Sequence, residues 1–303
     1  MSVIHTVTSC QAVNEPLNKS DKTARYHYLA NHAVQALLDE VSLTPKPALV
    51  DRRGNGAHHD LTFEIMVASA KSLYPAFFAM AQKANEYKSI CSALRMAIGK
   101  IGRNAETEML RITGGVNTHR GAIWTLGLLV TSASLLLSHH NRMISLASKE
   151  VCQIAGGIAC IEDSSITTKK ETLSHGELIW QKYQIGGARQ QAQQGFPMIV
   201  EQGLPRLRYS RYQGDLEEHA RLNALLAIMS ELGDTCVLHR SGIDGLHVMQ
   251  DGAKQLLALG GFGNPLARKL YQDYEQKLLV LRASAGGAAD LLAGTLFVDW
   301  ISS

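Results

Sequence analysis

The chain has 303 residues, long enough to bury a substantial core as one large domain or as two ordinary ones. Its content of 46% hydrophobic and 19% charged residues is normal for a globular protein and argues against a disordered chain. The formal net charge of +3 is close to neutral, which gives a nucleic-acid-binding role no electrostatic support.

Helical spacing of apolar residues begins near Asp21 and continues to about Thr44, because Pro45 and Pro47 disfavour helix in the residues before them. Residues 1–20 are expected to form an N-terminal arm, and residues 21–303 a single all-α domain. Asp60 is well placed to cap the second helix. Further helices are predicted over residues 61–87, 89–110, 121–137, 149–161, 173–183, 216–232, 245–259, 265–282 and 288–300.

The segment 121–137 is the most apolar predicted helix and could be mistaken for a membrane span. It contains Thr125, Thr131, Ser132 and Ser134 and is shorter than the about 20 apolar residues that a span requires. We therefore predict a buried helix at the centre of a soluble helical protein, with no membrane partner.

Strand-like patterns are almost absent, and residues 198–200 are the best short candidate. Glycine-rich breaks at 186–187, 195–203 and 260–263 predict loops, and the sequence leaves open whether residues 188–213 form a mobile segment. Five scattered cysteines without a CxxC pair, and a start without a signal-peptide pattern, favour a cytoplasmic protein.

A compact polar loop, LVDRRGNGAHHD, covers residues 49–60 and follows Lys46. Its two carboxylates, Asp51 and Asp60, lie among arginines, histidines and two glycines. Such a mixture is costly to bury, because an unpaired buried charge loses its hydration. Glycine also lets the backbone approach a ligand closely. The loop therefore predicts a site for an anionic substrate and a metal ion.

Two glycines precede Asn117, His119 and Arg120 directly before the apolar helix. Backbone N–H groups at a helix start form a natural phosphate site, so this segment is either such a site or a glycine turn with a helix cap.

Three further polar segments carry Arg189, Asp234 with Arg240, and Asp290. Each has an ordinary explanation, since glycine loops are usually only loops and an Asp at a helix start usually caps it. Together they predict one polar pocket at the ends of a helix bundle.

These motifs, in this order, resemble the triphosphoribosyl-dephospho-CoA synthase family. The family begins with the elements EVS, PKP, LVD, NGAH and D, which correspond to residues 40–42, 45–47, 49–51, 55–58 and 60. Its GVNTH(K/R)GAI run corresponds to residues 115–123, and its GAR and GFP elements correspond to residues 187–189 and 195–197. Its DT…R.G element corresponds to residues 234–242, and its tail, close to SPGGSADLLA, corresponds to residues 284–293. The tail departs from the pattern at Ala285 and Ala288, which replace proline and serine.

The resemblance implies transfer of the triphosphoribosyl group of ATP to the ribose 2′-hydroxyl of 3′-dephospho-CoA, with release of adenine. The product is the prosthetic-group precursor for the acyl-carrier subunit of malonate decarboxylase or citrate lyase. The sequence VDRRG at residues 50–54 favours the malonate decarboxylase branch. No nucleic acid is involved, and a homodimer remains an open possibility.

Such chemistry requires carboxylates and Mg²⁺, which prefers carboxylate and phosphate oxygens. We expect Asp51 and Asp60 to bind the metal and, with Glu40, to act in acid–base catalysis. The residues expected to bind ATP and 3′-dephospho-CoA are Lys46, Arg52, Asn55, His58, Asn117, His119, Arg120, Arg189, Asp234, Arg240 and Asp290.

Two other functions are compatible with parts of the sequence. The adjacent His58, His59 and Asp60 suggest a metal-dependent phosphohydrolase of the HD type, although HD pairs normally lie within a helix. A non-enzymatic helical binding protein would use the glycine segments only as turns. The product formed from ATP separates these alternatives, since transfer releases adenine and hydrolysis releases phosphate or pyrophosphate.

Overall fold

The computed structural model describes residues 19–140, 143–164 and 175–303. Within these ranges the chain is helical and forms no strand, which confirms the all-α prediction. The expected N-terminal arm falls almost entirely outside the described residues. The helices are α1 (Lys19–Ser42), α2 (Phe63–Ser72), α3 (Tyr74–Tyr87), α4 (Ser92–Ile112), α5 (Arg120–Ser138), α6 (Ser148–Cys160), α7 (His175–Tyr183), α8 (Ala188–Gln193), a π-helical segment (Met198–Gly203), α9 (Leu204–Tyr212), α10 (Glu217–Glu231), α11 (Thr235–Ala258), α12 (Pro265–Leu281) and α13 (Gly286–Ile301).

The predicted helix over residues 61–87 is two helices, because Pro75 lies in the first turn of α3 and supplies no N–H to continue α2. Its predicted cap is also wrong. Thr62, not Asp60, is the N-cap residue of α2, and its Oγ1 accepts a hydrogen bond from the Ile65 N–H at 3.3 Å. Asp60 therefore lies before the helix with its carboxylate directed elsewhere.

Two further segments are more helical than the sequence pattern indicates. The strand-like run at 198–200 begins the π-helical segment, since a short apolar run does not distinguish strand from helix by its period alone. The polar segment that carries Asp234 and Arg240 was not included in the predicted helix over residues 245–259, but α11 already begins at Thr235. The backbone of Gly242 leaves the helical region with φ 67°, so the polar segment forms a helical turn before a kink.

Helix α5 lies at the centre of the protein and contacts α1, α3, α6 and α13. Its length and composition would allow it to cross a membrane, but 78% of its most apolar stretch is buried by other helices. Two of its hydroxyl groups donate to neighbouring helices, Ser132 to the Val151 carbonyl at 2.5 Å and Ser134 to the Ala81 carbonyl at 2.6 Å. The small polar residues therefore allow close helix packing while their hydroxyl groups remain hydrogen-bonded.

Candidate active site

The helices α11 and α13 begin beside each other, and the carboxylate of Asp234 joins them. Its Oδ1 accepts hydrogen bonds from the N–H groups of Cys236 at 2.8 Å and Val237 at 3.3 Å, at the start of α11. Its Oδ2 accepts from the Ala288 N–H at 2.9 Å, at the start of α13. Asp234 is therefore the N-cap of α11, as the ordinary explanation required, and it also holds a second helix in place.

The start of α5 is joined to the same region by Asp290. The carboxylate of Asp290, in the second turn of α13, accepts a hydrogen bond from the Ala122 N–H and lies against the Cα of Gly121. A Cβ on Gly121 would overlap this carboxylate, so the approach requires glycine. Three helix N-termini, each carrying partial positive charge, thus surround Asp234 and Asp290.

A buried ion pair borders these two carboxylates. Glu40 at the end of α1 and Lys46 in the following loop are 3% and 2% exposed, and Nζ of Lys46 donates to Oε1 of Glu40 at 2.5 Å. Removing both charges from water is costly, and it is offset only while each group retains its partner. We name Glu40, Asp234 and Asp290 the carboxylate cluster.

The environment of the carboxylate cluster favours the neutral form of Asp290. Desolvation raises the pKa of the Asp290 carboxyl well above its usual value, and the negative charges of Glu40 and Asp234 raise it further. Burial also raises the pKa of Asp234, although its four backbone N–H partners oppose that shift. A carboxyl group that retains its proton near neutral pH can donate it to a bound substrate.

His119 is a buried neutral imidazole at the N-cap position of α5. Its Nδ1 lies 2.8 Å from Oγ of Ser69, which also contacts Oγ1 of Thr118 at 2.6 Å. Burial, together with the positive charge of Lys46, lowers the pKa of His119 to about 3. Its Nε2 has no hydrogen-bond partner within the described part of the chain, so one polar atom remains available to a ligand.

His58 lies in the first polar loop and contacts the loop that precedes α13. Its Nε2 is 2.7 Å from Oγ of Ser284, and its Nδ1 is 3.2 Å from Nη2 of Arg240 and 3.8 Å from Oδ1 of Asp60. Burial and the positive charge of Arg240 lower the pKa of His58 to about 4. His58 and Arg240, predicted from distant motifs, are therefore brought together.

The carboxylate of Asp51 is saturated by donors from its own loop. Its Oδ2 accepts from the Lys46 N–H and from Nε of Arg53, both at 2.9 Å, and its Oδ1 accepts from the Arg53 N–H at 2.7 Å. Arg53 also pairs with Glu275 at 2.6 Å. This geometry gives Asp51 a role in shaping the loop, and Asp60, whose side chain is 61% exposed, lies apart from it.

Asp51 and Asp60 are the two residues that the sequence predicts as metal ligands. Among the described residues no group of three or more His, Cys, Asp or Glu side chains is placed to hold a metal ion. Asp51 does not fit as a ligand, because its oxygens are already bound by N–H donors, whereas Asp60 remains accessible.

The remaining predicted residues lie around the edge of this region. Arg52 stacks on the Phe63 ring at 5.0 Å. The guanidinium of Arg120 pairs with Glu106, and its N–H donates to Oδ1 of Asn117 at 3.2 Å. Two residues have exposed or half-exposed side chains without a hydrogen bond to the described part of the chain, namely Arg189 and Asn55.

Sequence reasoning missed Arg53, Ser69 and Ser284. Arg53 is adjacent to the selected Arg52, and no local signal distinguishes the arginine that binds Asp51 from the one that faces Phe63. Ser69 and Ser284 contact His119 and His58 only through the tertiary fold. Ser284 does lie at the start of the recognised tail motif, which was the one available signal.

A small cavity lies between α5, α8, α11 and α13. Its lining includes Thr125, Gly187, Thr235, Asp234 and Asp290, and its volume of about 20 Å³ suits one water molecule. Asp234 and Asp290 therefore share one small cavity, which as described is too small to hold a nucleotide.

Comparison with known proteins gives consistent matches. The model of the family described as ATP:dephospho-CoA triphosphoribosyl transferase matches residues 26–303. A protein of Azotobacter vinelandii, named a probable 2-(5″-triphosphoribosyl)-3′-dephosphocoenzyme-A synthase, is 53% identical over 270 residues, covering 89% of this chain and 90% of that protein. A protein of the same name from Pseudomonas syringae pv. syringae is 51% identical over 271 residues, with 89% and 90% covered.

A crystal structure described as a triphosphoribosyl-dephospho-CoA synthase from Archaeoglobus fulgidus has a similar fold. Its TM-score is 0.51, its sequence identity is 19%, and the match covers 78% of this chain and 99% of that one. At this identity the likeness supports the all-α fold alone.

Proposed function

The chain belongs to the ATP:dephospho-CoA triphosphoribosyl transferase family and is a transferase, and on that premise we propose which of its residues carry the reaction. In this transfer the bond between the ribose C1′ and the adenine nitrogen breaks, and a bond from C1′ to the acceptor 2′-oxygen forms. Adenine leaves with the bonding electron pair and needs a proton, while the acceptor hydroxyl loses one. The triphosphate stays intact, so the site must hold it without activating phosphorus.

The observation that carries the proposal is the carboxylate cluster at three helix N-termini. Asp290, whose pKa is raised by desolvation and by its acidic neighbours, is the proposed proton donor to adenine. The Glu40 carboxylate, in its ion pair with Lys46, is the proposed proton acceptor for the 2′-hydroxyl. Negative charge in the cluster also favours the positive charge that develops at C1′ when the glycosidic bond breaks.

The phosphates of the substrates need hydrogen-bond donors and positive charge. The start of α5 carries partial positive charge, and His119 Nε2 has no hydrogen-bond partner within the described part of the chain. His58 and Arg240 form a second polar pair beside Ser284. We assign these groups to substrate binding, with Asp234 as the residue that positions α11 and α13.

We propose that Mg²⁺ enters with ATP, because Mg²⁺ usually retains several waters and binds through one or two carboxylates plus substrate phosphates. When bound, the ion neutralises charge on the triphosphate. Asp60 is the accessible loop carboxylate that fits as its protein ligand, and Asp51 supports the loop from which Asp60 projects.

The product would be the prosthetic-group precursor for an acyl-carrier subunit. We propose malonate decarboxylase as its destination, because the sequence of residues 50–54 resembles that branch of the family. Citrate lyase is the alternative destination. A cytoplasmic location is also proposed, in keeping with the free thiols at Cys91, Cys152, Cys160 and Cys236 among the described residues.

The decisive experiment incubates the purified protein with ATP, 3′-dephospho-CoA and Mg²⁺ and identifies the products by mass spectrometry. We expect free adenine and a coenzyme product that has gained the mass of the triphosphoribosyl group. Release of phosphate or pyrophosphate without adenine would overturn the proposal and favour a phosphohydrolase. That outcome is not expected, because residues 58–60 lie outside a helix and no metal cluster surrounds them in the described structure.

A further inference from the structure

A second charged cluster is centred on two arginines of α4 that the motifs do not identify. Arg95 and Arg103 are two turns apart on one face of α4, and both guanidinium groups approach the same oxygen of Asp163. The distance from Nη1 to Oδ2 is 3.5 Å for Arg95 and 2.7 Å for Arg103. We name Arg95, Arg103 and Arg189 the arginine cluster, since Arg189 contributes positive charge from the start of α8.

Arg95 is unusual because its guanidinium is buried without full hydrogen bonding. The residue is 8% exposed, and its Nε has no hydrogen-bond partner within the described part of the chain. Its guanidinium carbon lies 5.1 Å from the centre of the Trp124 ring. Burial lowers the pKa of Arg95, and the charges of Arg103 and Arg189 lower it further, while Asp163 opposes the shift. A buried donor in this state is costly unless a ligand completes its bonding.

The Asp163 carboxylate is held tightly against α4. Its side chain is 2% exposed, and a Cβ on Gly99 would overlap its Oδ2. The carboxylate therefore occupies a space on the helix surface that opens only because residue 99 is glycine. An oxygen anion is thus already bound between the two arginines of α4.

The arginine cluster lies beside the candidate active site, and two of its members, Arg103 and Arg189, are exposed to solvent whereas Arg95 is buried. Arg103 and Lys100 line an open groove of about 310 Å³. On the other side, Trp124 Nε1 donates to the Ala188 carbonyl at 3.2 Å, next to Arg189. Ala188 and Gly187 also line the small cavity that contains Asp290. A substrate with a long phosphate-bearing arm could therefore reach both places.

We propose that the arginine cluster binds the oligophosphate group of a substrate, and that Asp163 is an internal carboxylate that this group replaces. Guanidinium groups bind carboxylate and phosphate through the same planar pair of N–H donors, so one anion can substitute for the other. The proposal rests on the proposed function for the identity of its ligand, which is either the triphosphate of ATP or the diphosphate of 3′-dephospho-CoA.

The first test measures binding of inorganic tripolyphosphate and pyrophosphate to the full chain by titration calorimetry. Arg95→Met is expected to weaken binding by at least about tenfold, because a charge-assisted contact is lost. Asp163→Asn is expected to strengthen it, because the competing carboxylate is removed. Arg111→Met is the matched control, since Arg111 lies on the same helix but is exposed and pairs with Glu108.

Arg189→Met provides a second test, because this exposed residue can be replaced without disturbing the buried part of the cluster. We expect a smaller but measurable loss of tripolyphosphate affinity. Wild-type affinity in Arg189→Met, or in a folded Arg95→Met, would overturn the proposal. So would weaker binding in Asp163→Asn than in the wild type, if thermal unfolding shows that the variant is folded.

Kinetics of adenine release then identify the source of the phosphate. A rise in KM for ATP alone in Arg95→Met assigns the cluster to the triphosphate, and a rise for 3′-dephospho-CoA alone assigns it to the diphosphate. Unchanged KM for both substrates would contradict the proposal. A wild-type protein that releases no adenine would instead contradict the proposed function, while the calorimetry would still decide whether the anion site exists.

Discussion

The Asp290 carboxylate lies directly against the Cα of Gly121, where the start of α5 meets α13. This contact allows Asp290 to accept a hydrogen bond from the Ala122 N–H. It also fixes the distance between the central helix and the helix that carries the proposed proton donor. Replacement of one hydrogen atom by a methyl group would therefore separate the two helices at the centre of the candidate site.

Gly121→Ala is expected to lower both stability and activity. The new Cβ would displace the Asp290 carboxylate, at a cost of about 1–3 kcal/mol for overpacking. We expect a lower unfolding midpoint in urea and a reduction of adenine release of at least about tenfold.

Gly102→Ala in the interior of α4 is the matched control, because its Cβ would meet only Met80 Cε at 3.7 Å and Ile123 Cγ2 at 3.8 Å. This change should stabilise the helix by about 0.5–1 kcal/mol. Equal effects of the two substitutions would show that the Asp290 contact has no special importance.

Asp290→Asn should impair catalysis while it leaves the fold intact. Loss of a positioned proton donor typically lowers the rate by about 10²–10⁴-fold. The amide can retain the hydrogen bond from Ala122 and removes a carboxyl whose ionisation is disfavoured, so the unfolding midpoint should not fall. Asp273→Asn, at an exposed position on α12, is the control. Wild-type kcat in a folded Asp290→Asn protein would exclude Asp290 as the donor.

Glu40 and Lys46 should stabilise the fold only while both charges of the ion pair are present. Glu40→Gln or Lys46→Met leaves one buried charge without its partner, which typically costs about 3–5 kcal/mol in the free energy of unfolding. The double variant should lose less than the sum of the two single variants. Urea unfolding of all four proteins measures this coupling.

The control for this cycle is Lys83→Met, which breaks an ion pair of the same 2.5 Å length between exposed side chains. Its unfolding midpoint should hardly change, because exposed pairs contribute little. Strictly additive losses from Glu40→Gln and Lys46→Met would contradict the coupling.

Acid should destabilise the protein through His119 and His58. Their pKa values fall from the ordinary 6.5 to about 3 and about 4 in the folded state. As the pH falls, both histidines bind protons in the unfolded chain before they do so in the folded protein. The stability that depends on their neutral forms is therefore complete above pH 6.5 and is lost as the pH falls toward the folded-state pKa values. At about 1.4 kcal/mol per pKa unit, His119 alone corresponds to a few kcal/mol.

Unfolding midpoints measured between pH 7 and pH 4 test this expectation. His119→Asn can retain a contact with Ser69 and should flatten the loss of stability at low pH. His247→Asn, at an exposed position on α11, is the control. A pH dependence in His119→Asn as steep as that of the wild type would rule out His119 as its source.

Removal of Mg²⁺ by a chelator should abolish adenine release, and added Mg²⁺ should restore it. Asp60→Asn should raise the Mg²⁺ concentration needed for half-maximal activity without lowering the unfolding midpoint, because its side chain is exposed. Asp51→Asn should instead lower the unfolding midpoint, because it weakens the contact with Arg53. Full activity in the presence of chelator would remove the metal from the proposal.

The sequence predicted the helices well where the apolar period was long and its ends were marked. Helix α5 was placed within one residue at each end, between its glycine turn and its polar end. Residues 198–203 were not recognised as helical. The segment has only six residues and lies within a glycine-rich stretch, so it is too short to show a helical period of apolar residues.

The structure brings several of the selected residues together, and their roles in catalysis and binding stay predictions. Asp234, Asp290, Lys46, Glu40 and His119 were all selected from motifs and do lie in one region. The sequence could not show that Asp51 is enclosed by Arg53, because the orientation of that arginine depends on Glu275, far along the chain. Catalytic and supporting carboxylates have the same chemistry, and only the tertiary contacts of each separate them.

Glu40 lies at the end of α1, whereas Asp290 belongs to α13, so the candidate site draws on the first and last of the described helices. A nascent polypeptide that has not yet emerged beyond α12 lacks α13, and with it both the proposed proton donor and the Ala288 N–H that Asp234 binds. We therefore expect unfinished translation products to release no adenine from ATP.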